Sequence, residues 1–195
     1  KDGNNLTVKY VALFASVVNF LISIYLWIFF DQSISSFQFI EDRKWIEGFI
    51  NYKVGVDGIS ILFIILTTFI TPLCIISVNN SVKNRLRDFL IAILIMESFM
   101  IGVFCALDLV VFYLFFEAGL IPMFLIIGIW GGARRVYSAF KFFLYTLLGS
   151  VLMLVAIISI YWITGTTDVV QLYEIGIDVK YQNLLWLAFF SSFAV

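Results

Sequence analysis

Five apolar stretches dominate this sequence, and each is long enough to cross a lipid bilayer. They cover residues 8–30, 58–78, 89–107, 109–130 and 139–163. A membrane-spanning helix needs about 20 predominantly apolar residues, and backbone groups inside the bilayer have to be hydrogen-bonded within the protein. The stretches also lack the apolar–polar alternation of barrel strands. We therefore predict an all-α membrane protein with five complete transmembrane helices, plus part of a sixth in the apolar run 184–195.

The composition supports a membrane protein and excludes several other classes. Hydrophobic residues make up 63% of the chain and charged residues 13%, against about 45–50% and about 25% in soluble domains. The net charge of −1, without a dense basic patch, argues against nucleic-acid binding. The chain has no histidine and two cysteines, Cys74 and Cys105. We predict no metal site, because this set cannot supply imidazole ligands or complete a zinc site.

The helices are expected to form a single transmembrane domain, residues 1–195, with two longer polar segments at residues 31–57 and 164–181. Within the first segment, residues 37–40 and 50–54 are typical of two short strands in a hairpin. Asp57 directly precedes the next apolar stretch and is well placed to cap that helix. We see no internal repeat.

Lysine and arginine are distributed unequally between alternate loops. Eight fall on one side, namely Lys1, Lys9, Lys83, Arg85, Arg87, Arg134, Arg135 and Lys141, and four on the other, namely Arg43, Lys44, Lys53 and Lys180. Basic residues favour the cytoplasmic or matrix side of a membrane. The segments 31–57 and 164–181 are therefore predicted to be outer-side loops.

The last apolar run ends at Val195, which is too early for a complete span. The run 184–195 is about half of the roughly 20 residues that a spanning helix requires. We expect the polypeptide, or a second chain packed against this run, to continue after Val195.

Two carboxylates lie inside the apolar stretches. Glu97 precedes the turn near Asp108 by about ten residues and Glu117 follows it by about ten, which places both roughly 15 Å deep at 1.5 Å per residue. A charged residue at this depth costs about 2.5–3.5 kcal/mol and is a candidate for function. Each carboxyl could serve in a proton relay, or could instead hydrogen-bond to a neighbouring helix and tie the bundle together.

Lys141 is the remaining candidate, just inside the inner end of the stretch 139–163. A lysine in this position often extends its ammonium group to the membrane surface. The alternative role is proton exchange between the inner aqueous phase and the buried carboxylates.

Three linked motifs carry a resemblance to a known family. They are Phe116-Glu117-Ala118-Gly119-Leu120-Ile121-Pro122-Met123, Gly128-Ile129-Trp130-Gly131-Gly132, and Ala139-Phe140-Lys141-Phe142-Phe143-Leu144-Tyr145-Thr146-Leu147-Leu148-Gly149-Ser150. Together with Gly55-Val56-Asp57-Gly58-Ile59-Ser60 they resemble the subunit 4 (chain M) family of proton-pumping NADH:quinone oxidoreductase, respiratory complex I. The resemblance covers most of the chain.

The resemblance implies a portion of an antiporter-like subunit of about fourteen helices with two inverted half-channels. The family's buried channel glutamate maps onto Glu117, and its lysine after the Gly-Gly turn maps onto Lys141. A partner lysine would follow Val195, and one helix would precede those seen here. Glu97 matches no role carried over from the family. No redox cofactor is expected in this chain, because FMN, iron–sulfur clusters and ubiquinone would be carried by other subunits of the complex.

The resulting hypothesis is a membrane-arm subunit of NADH:ubiquinone oxidoreductase that relays protons while quinone is reduced elsewhere. Its expected partners are the lipid bilayer and the other membrane-arm subunits. The alternatives are a subunit of a multisubunit monovalent cation/proton antiporter and a non-pumping structural fragment. The high Phe and Ile content is typical of an AT-rich organelle genome and favours the mitochondrial inner membrane, with the bacterial plasma membrane as the alternative.

Overall fold

A computed structural model describes residues 2–34, 36–46, 50–78, 82 and 84–194. Within these residues the chain forms seven helices and one two-stranded sheet. The elements in chain order are α1 Asp2–Ile28, β1 Gln38–Ile46, β2 Ile50–Val56, α2 Ser60–Ser77, α3 Leu86–Cys105, α4 Leu109–Trp130, α5 Arg135–Thr164, α6 Val169–Ile175 and α7 Val179–Ala194. Lys1, Lys83 and Val195, on which sequence predictions rely, lie outside the described residues.

The five predicted membrane spans are confirmed. Helices α1 to α5 are each long and apolar enough to cross a bilayer. The observed ends differ from the predicted ones by a few residues, most of all at α1, which begins at Asp2 rather than at residue 8. This first turn and a half is mostly polar, and apolar periodicity cannot detect a helix there.

The outer segment 164–181 is more ordered than a loop. Gly165, with φ of 74°, ends α5 in the left-handed conformation that glycine tolerates best. The Asp168 carboxylate then accepts hydrogen bonds from the backbone N–H groups of Val170 and Gln171 and caps the short helix α6. Helix α7, the partial sixth helix of the prediction, begins at Val179 rather than at residue 184.

The hairpin predicted in the segment 31–57 is confirmed. Strands β1 and β2 are antiparallel, with Asp42 opposite Lys53 and Lys44 opposite Asn51. After β2 the chain turns into α2, where the Asp57 carboxylate accepts a hydrogen bond from the Ser60 backbone N–H at 2.7 Å. The Ser60 hydroxyl in turn accepts from the Asp57 N–H at 2.9 Å. This reciprocal pair corresponds to a capping box and confirms that Asp57 caps the helix.

Helices that are consecutive in the chain pack side by side. Helix α1 contacts α2, α2 contacts α3, α3 contacts α4 and α4 contacts α5; in addition, α1 contacts α3 and α5 contacts α7. At Gly102 of α3 an added Cβ would lie 2.6 Å from the Phe115 ring of α4, so these two helices approach closely. Large apolar side chains such as Phe14, Trp162 and Leu184 remain exposed on the bundle. An apolar exterior of this kind suits lipid or neighbouring membrane helices.

Contacts at the two ends of the bundle confirm that the helices alternate in direction. At one end, β2 bonds to the α3–α4 turn through Leu107 N–H to Lys53 O at 3.0 Å, and the turn bonds to α6 through Val169 N–H to Leu107 O at 2.9 Å. At the other end, the Trp130 indole donates to Asn84 O at 2.9 Å. The predicted outer segments therefore lie together, opposite the loops that carry most of the basic residues.

The assignment of sides is tested by labelling single introduced cysteines in sealed vesicles, with Cys74 and Cys105 replaced. Thiols at positions 84 and 134 should react only with reagent on the inner side, and a thiol at position 170 only with reagent on the outer side. The physical reason is the bias of basic residues toward the inner side. Reaction of positions 84 and 170 from the same side would contradict the orientation.

Candidate functional site

Glu97 and Glu117 lie at equal depth in the bundle, as the sequence predicts. Glu97 is eight residues before the end of α3, and Glu117 is eight residues after the start of α4. At 1.5 Å per residue, the Cα atom of each glutamate lies about 12 Å from the outer end of its helix. Both residues are therefore within the span of the bilayer core, which is about 30 Å thick.

The Glu117 carboxyl belongs to a small polar cluster between α4 and α5. The Tyr113 hydroxyl interacts with both the Glu117 carboxyl and the Ser150 hydroxyl. Tyr113 precedes Glu117 by four residues, so the two side chains share one face of α4. Ser150 is buried on α5 and donates to Leu147 O at 2.9 Å. Tyr113 thus links the Glu117 carboxyl of α4 to the Ser150 hydroxyl of α5.

One oxygen of this cluster has no hydrogen-bond partner. Glu117 Oε1 is buried and unbonded among the described residues. Buried polar atoms are normally paired, so an unpaired carboxylate oxygen in this cluster is an exception that suggests function. A carboxyl beside a phenol hydroxyl is the kind of arrangement that general acid–base chemistry uses.

Lys141 is not brought together with Glu117. It lies on the exposed surface of α5, six residues after Arg135, and lines a shallow groove with Tyr137 and Tyr145. Ser150, at the level of Glu117, is nine residues further along α5, which corresponds to about 14 Å of helix rise. Within this structure Lys141 is therefore placed toward the inner membrane surface and not beside the buried carboxyl.

Glu97 is buried on the other side of α3, away from Glu117. Its side chain lines a cleft between α2 and α3 together with Thr67, Thr71 and Cys74. The cleft has a volume of about 310 Å³ and opens on the bundle surface. The two carboxylates that the sequence predicts at equal depth thus face different helices and do not form one site.

A polar junction lies at the outer end of the bundle. Lys53 Nζ of β2 and Asp168 Oδ2 at the start of α6 form an ion pair at 2.6 Å, with side chains only 14% and 8% exposed. Asp108 accepts from the backbone N–H groups of Val110 and Val111 and caps α4, and the Thr167 hydroxyl donates to its second oxygen. We call Lys53, Asp108, Thr167 and Asp168 the outer junction.

Several of these residues are not predicted by the sequence. Tyr113 could have been found, because it lies one helical turn from a buried carboxylate on the same face. The outer junction could not, because Lys53 and Asp168 are 115 positions apart and no periodic pattern connects them. Their proximity depends on how the hairpin folds over the α3–α4 turn.

Each half of the chain matches the model of a known protein family. Residues 5–103 match the model described as NADH-ubiquinone oxidoreductase chain 4, amino terminus. Residues 106–195 match the model described as NADH:quinone oxidoreductase/Mrp antiporter, TM. The chain belongs to the NADH-ubiquinone oxidoreductase chain 4 family. The resemblance inferred from the sequence motifs is thereby confirmed.

Relatives in this family come from bacteria and from eukaryotes. The chain is 58% identical over 200 residues to NADH-quinone oxidoreductase subunit M of Rhodobacter capsulatus, covering 96% of this chain and 39% of that protein. It is 48% identical over 190 residues to NADH-ubiquinone oxidoreductase chain 4 of Marchantia polymorpha, covering 96% and 38%. This member of the chain 4 family therefore spans about two fifths of the length of these relatives.

Solved structures share the same fold. A chain of respiratory complex I from Thermus thermophilus matches with a TM-score of 0.83 and 28% identity, over 95% of this chain and 39% of that chain. A chain of the membrane-bound sulfane sulfur reductase, an archaeal respiratory membrane complex, matches with a TM-score of 0.75 and 20% identity, over 95% and 29%. The second likeness concerns the fold alone. The antiporter-like membrane architecture predicted from the sequence is confirmed.

Proposed function

We propose that this chain is part of a membrane-arm subunit of NADH:ubiquinone oxidoreductase that relays protons across the membrane. The observation that carries the proposal is the Glu117 cluster, in which a carboxyl with a buried, unpaired oxygen lies beside the Tyr113 hydroxyl, which in turn interacts with Ser150 on the next helix. Membership of the chain 4 family supports it. The enzyme would be the proton-translocating NADH:ubiquinone reductase, with this chain contributing no redox active site.

Glu117 takes the role of the proton-carrying residue of the first half-channel. Tyr113 and Ser150 orient its carboxyl and can pass a proton to or from it. Lys141, near the inner end of α5, exchanges protons with the inner aqueous phase. Because about 14 Å of helix separates Lys141 from the level of Glu117, water molecules or further side chains have to bridge the two.

The remaining parts of the enzyme would lie on other chains. FMN, iron–sulfur clusters and ubiquinone belong to other subunits of the complex, and the partners of this chain are the other membrane-arm subunits. The second half-channel, with its lysine-bearing helix, would lie in the part of the subunit that this chain does not cover, since the chain spans about two fifths of the length of its relatives. The membrane is the mitochondrial inner membrane, with the bacterial plasma membrane as the alternative.

A multisubunit monovalent cation/proton antiporter is the second candidate, since the family model matched by residues 106–195 names both classes. The two are separated by gentle purification of the tagged, full-length subunit from its native membrane. Flavin and iron–sulfur proteins should co-purify in about equal amounts with the subunit, because a membrane arm of the reductase is bound to its redox arm. Optical and iron analyses of the purified complex measure this directly.

The outcome distinguishes all three hypotheses. Recovery of the subunit with other membrane proteins but without flavin or iron would favour the cation/proton antiporter. Recovery of the reductase complex lacking proton translocation in vesicles would favour the non-pumping structural fragment.

A further inference from the structure

Glu97 is buried without the contacts that normally justify a buried carboxyl. The residue is 1% exposed, and neither of its side-chain oxygens has a hydrogen-bond partner among the described residues. The Asn19 side chain of α1 lies beside it, but no hydrogen bond to either Glu97 oxygen is formed among the described residues. A carboxyl that merely ties helices together would be bonded to one of them. The hydrogen bonds expected of a Glu97 that only ties neighbouring helices together are therefore missing among the described residues.

Polar side chains on three helices share the region of Glu97. Ser16, Asn19 and Ser23 follow one face of α1 at spacings of three and four residues. Thr68 of α2 contacts Ser23, Glu97 of α3 lies beside Asn19, and Thr71 of α2 lines the same cleft as Glu97. We call the whole set, Ser16, Asn19, Ser23, Thr68, Thr71 and Glu97, the α1–α3 seam. Apart from the partly buried Asn19, each member is less than 8% exposed. The seam is therefore a polar strip inside an otherwise apolar interface.

Two hydroxyl groups of the seam are in direct contact. Ser23 Oγ and Thr68 Oγ1 are 2.7 Å apart, and either can act as the donor. Each hydroxyl also reaches a backbone carbonyl, Ser23 that of Phe20 at 2.7 Å and Thr68 that of Ile64 at 3.0 Å. Rotation of the hydroxyl groups therefore reverses the direction of the Ser23–Thr68 bond. Such a pair can pass a proton in either direction.

An apolar layer separates the seam from the Glu117 cluster. Met96, Met100 and Phe104 line both the cleft that contains Glu97 and a second cleft between α3 and α4. Gly102, where α3 packs closely against Phe115 of α4, is five residues from Glu97, or about 140° around the helix. Glu97 therefore faces the α1–α2 side, and its proton does not pass directly to Glu117.

We propose that Glu97 is a second proton-binding site, which exchanges its proton through the hydroxyl groups of the α1–α3 seam and independently of Glu117. An ionised, unpaired carboxylate is costly at this depth, whereas a carboxyl that has bound a proton is neutral. Glu97 lines the cleft between α2 and α3, which opens on the bundle surface. Cys74 is the other titratable side chain that lines this cleft. The proposal does not depend on the role assigned to Glu117.

Proton binding is tested with dicyclohexylcarbodiimide on the assembled complex in native membranes. This apolar reagent reacts with protonated carboxyls: the acid oxygen bonds to the carbodiimide carbon, the proton moves to nitrogen, and rearrangement leaves a stable acylurea of the whole reagent. Mass spectrometry should find the adduct on Glu97, to within about twofold equally in the wild type and in Glu117→Gln, if the sites are independent. Asp108 is the matched control, since it is 2% exposed but already accepts three hydrogen bonds. It should carry at least about tenfold less adduct.

Proton exchange is tested by transferring the complex into D2O and following the carboxyl C=O band that Glu97→Gln removes from the infrared spectrum. The band should shift in the wild type and in Glu117→Gln. Thr68→Val, which keeps the side-chain shape, should slow the shift by at least about tenfold, because one proton-transfer step is lost. Ser98→Ala, which removes an exposed hydroxyl on α3, should leave the rate unchanged.

Three results would overturn the proposal. Absence of the adduct on Glu97 would show that the residue does not hold a proton. A band that fails to shift in D2O would identify a permanently neutral structural group. An adduct or a shift that disappears in Glu117→Gln would show that the two carboxyls form one pathway. Loss of pumping in Glu117→Gln, with the adduct and the shift of Glu97 unchanged, would instead support Glu117 as the relay carboxyl and Glu97 as an independent proton-binding site.

Discussion

Glu117→Gln is expected to lower coupled NADH:quinone turnover and proton pumping by at least about tenfold while the complex still assembles. Glutamine preserves the shape of the side chain and can keep its contact with Tyr113, but it cannot bind and release a proton. The replacement therefore removes titration without opening a cavity between α4 and α5. Proton uptake and NADH oxidation are measured in membrane vesicles, and assembly is checked on native gels.

Two further variants make this result specific to the carboxyl chemistry. Glu117→Asp should retain part of the activity, since a carboxyl remains on the same face of α4. Glu97→Gln should be much milder, with an effect of about twofold to threefold, because Glu97 lies on a separate face of α3 and outside the Glu117 cluster. Normal pumping in an assembled Glu117→Gln complex would remove Glu117 from the relay.

The transmembrane architecture could be predicted from the sequence because lipid imposes a simple rule. A segment of about 20 apolar residues can satisfy its backbone only as a helix, and all five such segments are helices in the structure. The Asp57 cap and the hairpin were predicted from equally local signals. Helix α6 was not, because seven residues in a polar segment produce no clear periodicity. Its capping residues, Asp168 and Gly176, are the only local signals of its position.

Part of the candidate site could be predicted in the same way. Counting residues from the α3–α4 turn gives the depth of Glu97 and Glu117, because the rise of a helix is constant. Which face each carboxyl occupies depends on helix rotation and packing, so the sequence does not show that the two residues face different helices. The distance of Lys141 from Glu117 follows from the nine residues of α5 that separate Lys141 from Ser150.

The outer junction is expected to be the most sensitive structural feature outside the transmembrane core. Lys53→Met leaves Asp168 buried without its cation, and breaking one partner of a buried ion pair typically costs about 3–5 kcal/mol. The pair joins the hairpin to the start of α6, so its loss loosens the segment that covers the α3–α4 turn. We expect a lower midpoint of thermal unfolding for the purified complex and a smaller assembled fraction on native gels.

Arg43→Met is the matched control for this prediction, because it removes a basic residue from the same hairpin. Arg43 pairs with Glu41 at 2.6 Å as well, but the two side chains are 76% and 49% exposed. An exposed pair contributes only about 0–1 kcal/mol, so Arg43→Met should leave thermal stability nearly unchanged. Equal losses in Lys53→Met and Arg43→Met would mean that burial of the ion pair is not the cause.

A double variant shows which of two causes lowers the stability of Lys53→Met: the burial of an unpaired Asp168 carboxylate, or the loss of the attraction between Lys53 and Asp168. Lys53→Met combined with Asp168→Asn removes both charges, while the asparagine oxygen can still accept the backbone hydrogen bonds that cap α6. Replacing both members of a buried pair by neutral groups is often close to neutral in stability. The double variant should therefore recover most of the stability lost in Lys53→Met. If it is instead as unstable as the single variant, the Lys53–Asp168 attraction itself holds the hairpin against α6, and the uncompensated carboxylate contributes little to the loss.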